Sequence, residues 1–166
     1  HSDLELTKSY LTEAETLSHD LDYTKGKAKV LYLKGILESR KSNYKTSLDY
    51  FNNSLKLYES IKDQKGIAAI YAAFGITHFV QSQYEKALNN YKKSSEIFEI
   101  LDDKRELANS YIYIANVYAE TGKYNESILN FKKALEISES INDENGISYV
   151  NRNIGFVYKM QGNYPL

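Results

Sequence analysis

The sequence has no cysteine and no tryptophan, and only one proline and one methionine in 166 residues. Without cysteine, disulfides, Cys-ligated zinc and a thiol nucleophile are excluded, and no redox compartment is indicated. One proline and eight glycines leave few helix breakers, so a mostly helical chain is expected. Neither sign of charge is in excess: 21 Lys and Arg stand against 22 Asp and Glu, a formal net charge of −1. There is no bulk basicity for nucleic acid and no acidic solvating tail. No apolar run approaches the ~20 residues of a membrane-spanning helix, so no membrane insertion by this segment is expected. No signal-peptide pattern opens the chain. What is present is 42% hydrophobic and 26% charged, enough for one folded domain with a core over residues 1–166.

The catalytic vocabulary is missing as well. The histidines, His1, His19 and His78, have no metal-ligand spacing. There is no Gly-rich phosphate loop, no Gly-x-Ser-x-Gly elbow and no His-Glu-x-x-His. No enzyme, cofactor, metal or catalytic residue is expected. Asn52-Asn-Ser54 and Asn125-Glu-Ser127 fit the glycosylation pattern, but both fall on expected helices. Lys92-Lys93 and Lys132-Lys133 read as a solvated outer face.

The decisive feature is a repeat of 40 residues. Tyr44, Tyr84, Tyr124 and Tyr164 keep that step, with Leu4 one step before. So do Leu11, Phe51, Tyr91 and Phe131, a large apolar series, and Ala14, Ser54, Ser94 and Ala134, a small one. Leu17, Leu57, Ile97 and Ile137 are aliphatic, as are Leu21, Ile61, Leu101 and Ile141. Gly26, Gly66 and Gly146 match, with Glu106 the exception.

Each unit reads as two helices. Ile67–Phe79 and Leu107–Tyr118 are dense in apolar residues, and Tyr84–Leu101 and Tyr124–Ile141 have amphipathic spacing. Short polar turns are expected within units, at Ser42-Asn43, Ser82-Gln83, Gly122-Lys123 and Gly162-Asn163. Longer ones are expected between units, at 62–66, 102–106 and 142–146, where Asp and Asn can cap the next helix. The register divides the chain into a half repeat at 3–22, full repeats at 23–62, 63–102 and 103–142, and a truncated one at 143–166. It reads as a segment of a longer array.

These residues resemble the tetratricopeptide repeat family. Its first-helix pattern is met by Phe74-Gly75-x-x-His78, Ile114-Ala115-x-x-Tyr118 and Ile154-Gly155-x-x-Tyr158. Its second-helix pattern is met by Ser47-x-x-x-Phe51, Ala87-x-x-x-Tyr91 and Ser127-x-x-x-Phe131. The period is 40 rather than ~34, and the unit-ending proline is absent, as in the 40-residue subclass of bacterial signalling proteins. The first unit departs most, with Glu38 in place of the tyrosine and Lys34 in place of the leucine.

The resemblance implies an all-α, right-handed superhelical solenoid of about eight helices in antiparallel pairs. It implies a non-catalytic protein- or peptide-binding scaffold, the sensory or interaction segment of a larger bacterial signalling or regulatory protein. It places a binding groove on the first helices, at Tyr32, Ile36, Ala69, Ala72, Ile76, Phe79, Asn109, Ile112, Tyr113, Asn116, Tyr149, Arg152, Asn153 and Phe156. Asn116 and Asn153 match the clamp of chaperone-tail-binding members, but Ile112 stands where that clamp needs Lys. The charge-free run Ile67–Ile76 is either a buried central helix or an apolar groove floor. The alternatives are a solenoid that self-associates end to end through its half repeats, and a receptor for short pheromone-type peptides. A cytoplasmic location is expected, or a periplasmic one were the chain part of a membrane sensor.

Overall fold

The computed structural model describes residues 2–162, and of residues 2–8 the backbone alone. The side chain of Leu4, His1, and the expected continuation at Asn163 and Tyr164 lie outside the described residues. Among these there are eight helices and no strand: α1 Ser2–Asp20, α2 Thr24–Arg40, α3 Tyr44–Ser60, α4 Gln64–Val80, α5 Tyr84–Ile100, α6 Lys104–Glu120, α7 Tyr124–Ser140 and α8 Glu144–Met160. From α2 onward every helix has 17 residues and every turn has three. The repeat of 40 is thus two equal steps of 20.

One turn design produces that regularity. The middle residue of each turn is left-handed: Asp22, Ser42, Lys62, Ser82, Asp102, Gly122, Asn142 and Gly162 all have φ between 47° and 76°. The next residue's N–H reaches back to the carbonyl five positions earlier, as Asn43 to Glu38, Asp63 to Tyr58 and Lys123 to Tyr118, at 2.8–3.0 Å. This is the Schellman closure, which satisfies carbonyls that the helix end leaves bare.

The turns between repeats are not longer than those within them, contrary to the sequence reading. Residues 64–66, 104–106 and 144–146 are the first turns of α4, α6 and α8. Aspartate starts these helices where the pattern placed a cap: Asp63 accepts from the Gly66 N–H at 3.0 Å, Asp103 from Glu106 at 3.4 Å and Asp143 from Gly146 at 3.2 Å. Gly66 lies inside the helix for want of room, since a Cβ there would run into the Tyr58 ring.

The chain divides into two compact units, residues 1–77 and 78–166, with the division inside α4. In the first, α1 packs on α2 and α2 on α3. Its core holds Ala28, Phe51, Tyr58, Ala68, Ile70 and Phe74, with the Phe51 ring edge-on to Phe74 at 5.8 Å. The buried Ser54 hydroxyl donates to the Ala28 carbonyl at 2.7 Å and pins α3 to α2. In the second unit α5 packs on α6, α6 on α7 and α7 on α8. One cluster joins Ala87, Tyr91, Ile114 and Val117, and another Ala115, Ile128, Phe131, Ala134, Val150 and Val157. Short turns make these packed neighbours antiparallel.

The large apolar series is buried throughout at Leu11, Phe51, Tyr91 and Phe131. The small series is buried at Ser54, Ser94 and Ala134, whereas Ala14 on α1 is exposed. The odd residues of the first repeat found polar partners: Lys34 pairs with Glu15 at 2.7 Å, and Glu38 accepts from Lys41 and Asn43. His78, in a tyrosine's place, shares a 2.9 Å hydrogen bond with Gln83.

Candidate functional site

The expected groove residues lie on α2, α4, α6 and α8 and are described within each unit. In the first unit, Tyr32 is half-buried against Phe51, ring centroids 6.0 Å apart, and Lys29 Nζ lies 4.6 Å over its ring. Tyr32, Ile36 and Ile76 come together around a cavity of about 290 Å³, with Phe51, Ala73 and Arg40 in its wall. Tyr32 and Ala69 also line a second cavity of about 510 Å³, whose other walls are Tyr23, Tyr58, Lys25, Lys29 and Lys65. Ala72 is half-buried and lines neither of these two cavities. The run Ile67–Ile76 is mostly core, with Ile67, Ala68, Ile70, Ala73, Phe74 and Gly75 buried. Ala69, Tyr71 and Ala72 are half-buried and Ile76 is exposed.

The larger cavity is charged as well as aromatic. Lys25 bridges to Asp63 at 2.7 Å, an ion pair between residues of successive repeats. The Lys25 hydrogen bond holds the Asp63 carboxyl below its ordinary range, with the Gly66 N–H helping. Burial pushes the Tyr58 phenol up to about 12.

In the second unit, Phe79 is half-buried against Tyr84, centroids 5.8 Å apart. Asn109 donates to Glu106 at 3.3 Å, and Asn116 is half-buried. Tyr113 stacks on Tyr91 at 5.1 Å, and desolvation raises its phenol. Ile112 is a correction: at 8% exposure it belongs to the core cluster with Phe131 and Val150. The isoleucine has no polar end to carry to water and stays in that cluster, while Arg152 at the same repeat position extends its guanidinium over the Tyr149 ring. On α8, Tyr149 is 39% and Phe156 58% exposed. The Arg152 guanidinium lies 5.2 Å over the Tyr149 ring, a cation–π contact. The Asn153 amide donates back to the Tyr149 carbonyl at 2.7 Å.

The sequence reading missed Tyr23, Lys25, Tyr58, Asp63 and Lys65 as cavity residues, and Arg40 in the smaller cavity. A signal existed: Lys25 and Lys65 are one period apart, each in the first turn of a helix, where the macrodipole favours acids. Among the described residues no group of His, Cys, Asp or Glu could hold a metal ion, and no helix is long and apolar enough to cross a membrane.

The profile of the tetratricopeptide repeat matches residues 26–100 and 106–166. No curated protein matches the sequence. Three solved structures share the fold. The apo form of RapI is 21% identical, with a TM-score of 0.81 over 94% of this chain and 57% of that one. Aspartyl phosphate phosphatase F from Bacillus subtilis is 16% identical, with a TM-score of 0.78 over 93% and 44%. The Rap conjugation gene regulator of plasmid pLS20, in complex with the Phr* peptide, is 19% identical, with a TM-score of 0.72 over 87% and 40%. This chain spans about half the length of these proteins.

Proposed function

This chain belongs to the tetratricopeptide repeat family, and from that premise we propose that it is a non-catalytic scaffold that binds a protein or peptide along its first helices. The observation that carries the reading is a split between two kinds of repeat position. Phe51, Tyr91 and Phe131 keep their character at every step and are buried. The first-helix positions do not: Tyr32, Ala72, Ile112 and Arg152 stand one period apart, as do Ile36, Ile76, Asn116 and Phe156. Packing fixes the first kind, and the second, apart from the buried Ile112, is free for recognition. The peptide complex of the pLS20 regulator, whose fold is similar, supports a peptide as the partner. The bacterial signalling context and a role as one segment of a longer regulator are part of the same proposal. The similarity to a named phosphatase is one of fold.

The test is selection from a random peptide display library. The natural chain should enrich a sequence family, and an Asn116→Ala, Arg152→Glu, Phe156→Ala variant of equal helicity should lose it. Equal enrichment by both would move the site off the first helices. Tyr113 is left intact because of its stacking on Tyr91.

A second reading has its own observation. Tyr10, Leu17 and Leu21 are exposed at α1 and its turn, and Phe156 and Met160 on α8. Such faces suit heterologous self-association, which generates open chains. Sedimentation across a hundredfold concentration range decides it: a mass that climbs supports stacking, and a constant monomer mass removes it.

A further inference from the structure

The two cavities of the first unit share the Tyr32 ring and differ in chemistry. The larger one carries three lysines, Lys25, Lys29 and Lys65, against one carboxylate, Asp63, which Lys25 already engages. Its other walls are Tyr23, Tyr32, Tyr58, Ala69 and the two glycines Gly26 and Gly66. It lies at the start of α2 and of α4, whose first turns, like that of α3, hold no acidic residue, with Asp63 capping α4. One helix end without a side-chain cap, that of α2, and three lysines, one of them paired with Asp63, therefore meet at an aromatic cavity, a surplus of positive charge that selects an anion. The smaller cavity, lined by Tyr32, Ile36, Phe51 and Ile76, suits an apolar side chain.

Their separation can be read on both helices. On α2 the larger cavity is lined from Lys25 to Tyr32 and the smaller from Tyr32 to Arg40. On α4 the ranges are Lys65 to Ala69 and Ala73 to Thr77. At a rise of 1.5 Å per residue the centres lie roughly 12 Å apart on either helix. An extended peptide rises about 3.3 Å per residue and returns a side chain to the same face every second residue. Only the fourth neighbour meets both conditions.

We propose that this surface recognises an extended peptide segment carrying an acidic side chain and a large apolar or aromatic side chain four residues apart. The acid sits among Lys25, Lys29 and Lys65, and the apolar group enters between Ile36 and Ile76. The inference rests on the peptide-binding reading and names the chemistry that reading leaves open.

The experiment uses the full chain, labelled with nitrogen-15, titrated with capped alanine–serine peptides that hold one Asp and one Phe at spacings from two to six, in both orders. The expected result is tightest binding at a spacing of four in one order, with amide shifts at Gly26 and Gly66. Affinity should fall about tenfold when Asp becomes Asn, and similarly in the Lys29→Glu, Lys65→Glu variant. The Lys29→Arg, Lys65→Arg variant should keep it, and added salt should weaken it. Affinity that ignores spacing, equal affinity for Asp and Asn peptides, or no binding at millimolar peptide would each overturn the proposal. Display selection dependent on α6 and α8 would still stand in those cases, so this inference and the broader reading fail separately.

Discussion

At the scale of the residue, position in the repeat does not determine what a substitution does; the neighbour does. Gly35 and Gly155 occupy the same repeat position. A Cβ on Gly35 would run into the Phe51 ring, while Gly155 has nothing within 4 Å among the described residues. Gly155→Ala should therefore raise stability by about 0.5–1 kcal/mol through helix propensity. Gly35→Ala should lower it by about 1–3 kcal/mol through overpacking, both read from urea denaturation midpoints. The serines split similarly. Ser47 and Ser127 are buried with hydroxyls that find no partner, at a position where the next repeat has Ala87. Alanine at either should be neutral or stabilising, whereas Ser54→Ala, which removes the bond to the Ala28 carbonyl, should cost about 1 kcal/mol. This is also why the candidate site was only partly legible in the sequence. Tyr32, Ile36, Ala69 and Ile76 were found from their place on a helix face, and three of the four line one cavity. The lysine cavity was not found, because it forms only when Lys25 of one repeat meets Asp63 and Lys65 of the next.

At the scale of the element, the helices were legible because the same apolar columns recur in each repeat and identify a face each time. Their starts were misplaced between repeats because Gly66 and Gly146 resemble loop glycines. They are helix-interior residues that make room for Tyr58 and for Ser138. The left-handed turn position was legible only at Gly122 and Gly162; at Ser42, Lys62 and Ser82 the residue type conceals it. Lysine gains nothing from a left-handed backbone, while Asn and Asp tolerate it. Lys62→Gly should therefore raise the thermal midpoint, by about 0.5–1 kcal/mol in stability, and Asn142→Gly should do so less. The capping aspartate sets an acid response. The Asp63 carboxyl titrates below its ordinary range, so its contribution is present above the unfolded value and lost as pH falls through the folded one. Stability against urea should drop on acidification below pH ~4, and drop less in Lys25→Met.

At the scale of the whole molecule, both units share an alkaline limit. Burial raises the phenols of Tyr58 in the first unit and of Tyr91 and Tyr113 in the second. A raised phenol contributes stability below the unfolded value near pH 10 and loses it as pH climbs toward the folded value. Far-ultraviolet circular dichroism should show a steep loss of helix above pH ~10.5. The part of the phenolate absorbance that Tyr58→Phe and Tyr91→Phe remove should rise in the same step, not before it. The uniform step of 20 residues has a consequence for how such a gene can change. Loss or duplication of one helix with its turn preserves every cap and closure but exchanges the roles of all helices downstream, so that tyrosine-led second helices fall where first helices belong. Two such steps restore the parity. Unequal recombination within the coding sequence is therefore tolerated only in even steps, and the length of the array is a quantity that evolution can count but not tune continuously.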